Sequence, residues 1–188
     1  MLIYILITII IIYIICVFIK IRNNNNKIYC NKYDICKTIN KTEFKKIKEL
    51  LIAYYNNLLL CLPENDERTT RLKKNFNKNT IFEVYPDNLN NDTSFSINKG
   101  EELGICIRHN DTLYNIHDLD IILYVFTHEL GHLITLTEQH TPEFWRNFKW
   151  LLSYCYKNNL IKIKNYENNN EKYCGMVVDY NVYFDNEV

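Results

Sequence analysis

The chain has 188 residues, with 22 Lys plus Arg against 22 Asp plus Glu and a formal net charge of zero. That length allows one compact domain and an appendage, and the even balance lacks the basic excess that marks nucleic-acid binding. Basic clusters at 45–48 and at Arg68, Arg71, Lys73 and Lys74 read as solvated helix faces.

The appendage is N-terminal. Leu2 to Ile19 is an eighteen-residue run without charge, Gly or Pro, about 27 Å long as a helix against a hydrocarbon core of roughly 30 Å. No charge precedes it, and Lys20, Arg22 and Lys27 follow. This favours a retained transmembrane anchor over a cleaved signal, giving a single-pass membrane protein whose catalytic domain faces the cytosol or a virion interior. The expected layout is an anchor at 1–22, a juxtamembrane linker at 23–41 and one domain at 42–188. Seven cysteines, an odd set without metal-type pair spacing, are expected to be reduced. Cys30 and Cys36 form the local bridge if they are not. Sequons at Asn40, Asn91 and Asn110 matter only if the topology is reversed.

In chain order, Phe44, Ile47, Leu50, Leu51, Tyr54, Tyr55, Leu58 and Leu59 repeat with a helical period, with Thr42 as N-cap and Pro63 as stop. Residues 68–76 suggest a short second helix, and 86–92 a loop. "TSFSI" (93–97) and "ELGICIR" (102–108) flank a Gly-containing turn, as a β-hairpin does. From Asp118, a candidate N-cap, a long apolar helix runs to about Leu136, with Ile121, Val125, His128 and His132 on one face. Thr141 and Pro142 then cap a further helix, whose Trp145, Phe148 and Leu152 form a core stripe. A loop and a short strand end the chain.

The chemistry lies in "HELGH", residues 128–132. Histidines four apart on a helix stand about 5–6 Å apart at Cβ, so both imidazoles can reach one Zn²⁺. Glu129 between them does not ligate and is placed to take a proton from water and pass it to a leaving amine. A catalytic zinc takes three protein ligands and keeps one position open. His140, beyond the helix end, ranks as the third ligand ahead of Glu143 and Glu138. Burying two imidazoles and a carboxyl on an apolar helix costs several kcal/mol unless something satisfies them.

"HELGH", seven residues and then "HTPEFW" resemble the WLM metallopeptidases and their SprT-like and YgjP-like relatives. "FSINKGEELGICIR" and "KYCGM" look similar to versions of this domain encoded by large DNA viruses. The resemblance covers roughly residues 70–178. It implies an α+β, zincin-like minimal metalloprotease domain with the active-site helix packed on a small β-sheet. It also implies His128, His132 and His140 as zinc ligands and Glu129 as general base. Cellular members act on proteins crosslinked to DNA, so the resemblance admits a nucleic-acid partner that the net charge disfavours.

The resulting expectation is a membrane-anchored, zinc-dependent metallopeptidase acting on a protein or peptide substrate. An edge strand, 93–97 or 102–108, would hold that substrate by strand addition. The rivals are a catalytically inactive zinc-binding structural or interaction protein and a zinc-free protein with an accidental motif. His109 and His117 are expected at the surface. Cys174 reads as inert, with a thiolate occupying the open zinc position as the alternative, and Tyr166 or Tyr173 are candidates to stabilise an oxyanion.

Overall fold

The computed structural model describes residues 28–29, 41–85, 93–110, 114–162 and 164–188. Helix α1 spans Lys41–Cys61 and α2 spans Glu67–Asn75. Helix α3 spans Leu119–Ile134 and α4 spans Pro142–Lys157. The strands are β1 Ile28–Tyr29, β2 Ile81–Val84, β3 Phe95–Ile97, β4 Glu102–Cys106, β5 Glu171–Tyr173 and β6 Met176–Val178. The fold is α+β, as the sequence leads one to expect.

The first four strands make one sheet in the order β1-β2-β4-β3, with β1–β2 and β2–β4 parallel and β3–β4 antiparallel. β5 and β6 form a separate antiparallel hairpin. The expected hairpin is therefore present, and its turn explains itself: Asn98, Lys99 and Gly100 all have positive φ. A Cβ on Gly100 would meet the Asn75 carbonyl oxygen at 2.6 Å, so both backbone freedom and space require glycine.

Amphipathic spacing builds the helices. α1 buries Leu51, Tyr54, Tyr55 and Leu58, one face at steps of three and four, and stops just before Pro63. In α2, Asp66 caps the N-terminus by accepting the Arg68 N–H. The core joins Leu58 of α1, Ile81 and Ile105 of the sheet, Phe126 and Leu130 of α3, and Phe148 and Leu152 of α4.

Polar contacts lock this packing. Thr127 Oγ1 donates to the Leu123 carbonyl, so Tyr54 Oη donates to Thr127 at 2.6 Å and accepts from the Cys155 thiol at 2.9 Å. One hydroxyl thus ties α1, α3 and α4 together. Arg108, 4% exposed, reaches Glu83 of β2 at 2.7 Å and Glu43 of α1 at 2.8 Å. Arg108 and Glu83 are buried charges that stay in place because they are paired, while Glu43 is partly exposed.

Three expectations are corrected. The fold class included an N-terminal transmembrane helix and the localisation a single-pass membrane protein facing the cytosol. Among the described residues, no helix is long and apolar enough to cross a membrane. The longest, α1, has 21 residues but carries Lys41, Glu43, Lys45, Lys46, Lys48 and Glu49 in its first half. The apolar α3 has only 16 residues, about 24 Å. The run Leu2–Ile19 itself, like Cys30 and Cys36, lies outside the described residues.

The cysteine expectation also changes. Cys106, ending β4, is bonded to Cys174, in the β5–β6 turn, with Cα atoms 6.3 Å apart and a sequence separation of 68. Cys61 and Cys155 are free. Finally, of the two expected edge segments only 93–97 lies at a sheet edge, because β4 lies between β2 and β3.

Candidate metal centre

Helix α3 sets two of the three histidines. His128 and His132 lie one turn apart, their ring centroids 5.2 Å from each other. Both are half-buried, while Glu129, on the neighbouring face, is 3% exposed. Gly131 lets α4 approach this helix: a Cβ there would stand 3.1 Å from Phe144 Cε2. Phe144 in turn stacks on His132, with centroids 4.2 Å apart.

His140 arrives on the loop between α3 and α4, and that loop is closed from three sides. Glu143 Oε1 accepts the Leu136 N–H at 2.9 Å, and its Oε2 accepts the Thr137 N–H at 3.1 Å and the Thr137 hydroxyl at 2.9 Å. These donors hold the Glu143 carboxyl below its usual range, the Leu136 N–H most strongly. Lys99, from the β3–β4 turn, donates to the Thr137 carbonyl at 2.6 Å. From α2, Asn75 and Arg71 donate to the carbonyls of Leu133 and Ile134, acceptors that the end of α3 leaves without helical partners.

The result is a triad: the ligand atoms of His128, His132 and His140 all lie within 4.8 Å of one another. His128 Nε2 and His140 Nε2 are 2.9 Å apart. These residues could hold a metal ion. Two nitrogens each about 2.1 Å from a tetrahedral ion stand about 3.4 Å apart, so the widest pair has to close by up to roughly 1.4 Å to share one. Burial lowers all three imidazoles, aided at His128 by His132 and His140, and takes His132 to about 4. Neutral imidazole is the ligating form. Burial alone pushes Glu129 to about 8, and its Oε2 has no hydrogen-bond partner among the described residues. A buried carboxyl oxygen left in this state is costly unless a ligand or water meets it.

The triad opens into a cavity of about 390 Å³, bordered by residues 93–96 on one side and by Met176 to Tyr180 on another. Trp145 stands between, its ring 5.5 Å from His140 and 5.7 Å from Tyr180. So Trp145, read from sequence as core, faces the site, Phe148 is buried and also part of the cavity wall, and Leu152 is core. Glu138 is elsewhere, 81% exposed and 3.2 Å from Lys99.

Other candidates are relocated. His117 is 4% exposed, not on the surface; its Nε2 accepts the Cys174 N–H at 3.0 Å and its ring lies 3.7 Å from that of His109. Cys174 is in the disulfide and offers no thiolate. Tyr166 packs on Tyr124, and Tyr173, fully buried, donates to the Cys106 carbonyl. The tyrosines at the cavity are Tyr124 and Tyr180. Tyr180 carries no sequence signal beyond being one of fifteen.

No protein-family model matches the chain, and no solved structure matches it. It is 32% identical over 123 residues to an uncharacterised protein of Acanthamoeba polyphaga mimivirus, an overlap of 57% of this chain and 62% of that protein. The match therefore spans less than two thirds of the relative's length.

Proposed function

We propose that the chain is a zinc-dependent peptidase in which His128, His132 and His140 hold the metal and Glu129 is the general base. The observation that carries this reading is the buried Glu129 carboxyl, one oxygen of it unpartnered among the described residues, beside three clustered imidazoles that line an open cavity. Zinc suits such a donor set and, when bound, polarises a carbonyl and acidifies water.

The chain's own groups supply the rest. Glu129, as the ionised carboxylate, takes a proton from the attacking water and returns it to the leaving amine. Strand β3, outermost in the sheet and lining the cavity, offers backbone groups to an extended substrate. The loop tied by Glu143 keeps His140 in position. The resemblance to WLM, SprT-like and YgjP-like peptidases supports the same assignment of these four residues. Room beside the triad favours catalysis over a purely structural zinc, which would fill all four positions with protein.

The test measures metal and cleavage together. One zinc per chain is expected in the wild type and Glu129→Gln, with its loss in His128→Ala and His140→Ala. An unfolded protein substrate should be cut by the wild type and not by Glu129→Gln. A folded wild type that takes up no zinc would overturn the proposal.

A further inference from the structure

The cavity has a chemistry of its own apart from the triad. Its walls are chiefly apolar: Val125 from α3, Trp145 and Phe148 from α4, and Met176, Val178 and Tyr180 from the C-terminal segment. No Lys or Arg borders it among the described residues, and the acidic groups there are Glu129 and Asp179. The C-terminal wall is fixed. Tyr124 Oη donates to the Tyr180 carbonyl at 3.0 Å, and the buried Asn181 donates to Tyr156 Oη and the Lys164 carbonyl.

Part of this apolar lining is itself exposed. Met176 and Val177 are 44% and 48% exposed, and Ile97, at the end of the edge strand, is 43% exposed. Apolar side chains left in water on the rim of an apolar cavity mark a surface built to be covered. An extended chain lying along β3 places alternate side chains on the same side, so one side chain enters the cavity while its neighbours stay outside.

We propose that this cavity is an apolar side-chain subsite, and that the substrate is an extended peptide segment with a bulky aliphatic or aromatic residue beside the cleaved bond. This rests on the peptidase reading above. The absence of cations in the lining sets it against anionic partners, nucleic acid included. A rigid apolar wall discriminates by size, about ten-fold or more between a large side chain and a small one.

The experiment uses the zinc-loaded 188-residue chain and N-acyl amino-acid hydroxamates, whose chelating end fixes the side chain next to the metal. Affinities are measured calorimetrically for the Leu, Phe, Ala, Asp and Lys forms. In parallel, the cuts made in an unfolded protein are mapped by mass spectrometry. The Leu and Phe forms should bind at least ten-fold tighter than Ala, Asp or Lys, with cuts clustered beside such residues. Val178→Lys, which puts a cation in the cavity wall, should keep its zinc, weaken the Leu and Phe forms and favour Asp. Equal binding of all five forms, or cuts indifferent to the adjacent side chain, overturns the subsite and leaves the peptidase reading standing. No cuts at all overturns the peptidase reading, and the hydroxamate series then decides the subsite alone.

Discussion

His128 Nε2 lies 2.9 Å from His140 Nε2 across twelve positions of sequence. The first is carried by a helix and the second by a loop, so their approach depends on whatever closes that loop. Glu143 does most of this, spanning the Leu136 and Thr137 N–H groups. Glu143→Ala is expected to weaken zinc binding by about 10- to 100-fold while leaving the fold intact. Competition against a chelator of known affinity measures it, and an unchanged affinity would mean that Lys99 and α2 hold the loop without it.

Gly131 sets how closely α3 and α4 pack, since an added methyl meets Phe144 at 3.1 Å. Gly131→Ala should cost about 1–3 kcal/mol of stability, as overpacking does. Because Phe144 also stacks on His132, zinc affinity should fall with it. Thermal unfolding with and without zinc separates the two effects.

Acid should weaken the start of α2. Hydrogen bonding from the Arg68 side chain, then its backbone N–H and charge, holds the Asp66 carboxyl below its ordinary value. A carboxyl lowered on folding adds stability above its unfolded pKa of about 3.9 and loses it as pH falls through the folded value. Asp66→Ala should therefore cost about 1 kcal/mol at neutral pH and nothing once the wild-type carboxyl is protonated. Denaturant midpoints of both proteins, measured in steps from pH 7 downwards, test this; a gap that does not shrink as the pH falls would contradict it.

The Cys106–Cys174 bridge closes a loop with a sequence separation of 68, worth about 4 kcal/mol by chain entropy. The Cys106→Ser, Cys174→Ser double variant should unfold at correspondingly lower denaturant. A midpoint equal to that of the oxidised wild type would show that packing around Tyr173 and His117 suffices.

Strand addition on β3 predicts an alternation in the ligand. Backbone N-methylation of a bound peptide should weaken binding at every second residue near the cut and spare those between. Uniform tolerance of methylation would place the peptide away from the edge strand.

Much of the site is legible in sequence because its signals are local. The four-residue step from His128 to His132 and the Thr141–Pro142 cap need only a helix to be read. The β3–β4 hairpin announces itself through Gly100. Strand β2 does not: all four residues are buried, so no alternation appears, and Glu83 reads as a polar interruption until Arg108 is seen beside it. Likewise nothing near Cys106 points to Cys174, and Trp145 shares its helical stripe with true core residues. Each of these depends on contacts between distant segments, which periodicity cannot register.

The disulfide has a mechanical consequence. His128, Glu129, His132, His140 and the whole of α3 and α4 lie between Cys106 and Cys174. Pulled from its two ends, the chain carries tension through the sulfur–sulfur bond, and residues 107–173 bear none of it. A protein hauled through a pore or tugged by an unfolding machine would therefore give up β1, α1, α2, β2, β3 and β4 from one end and β6 from the other, while the histidine triad remained in a slack, covalently closed ring.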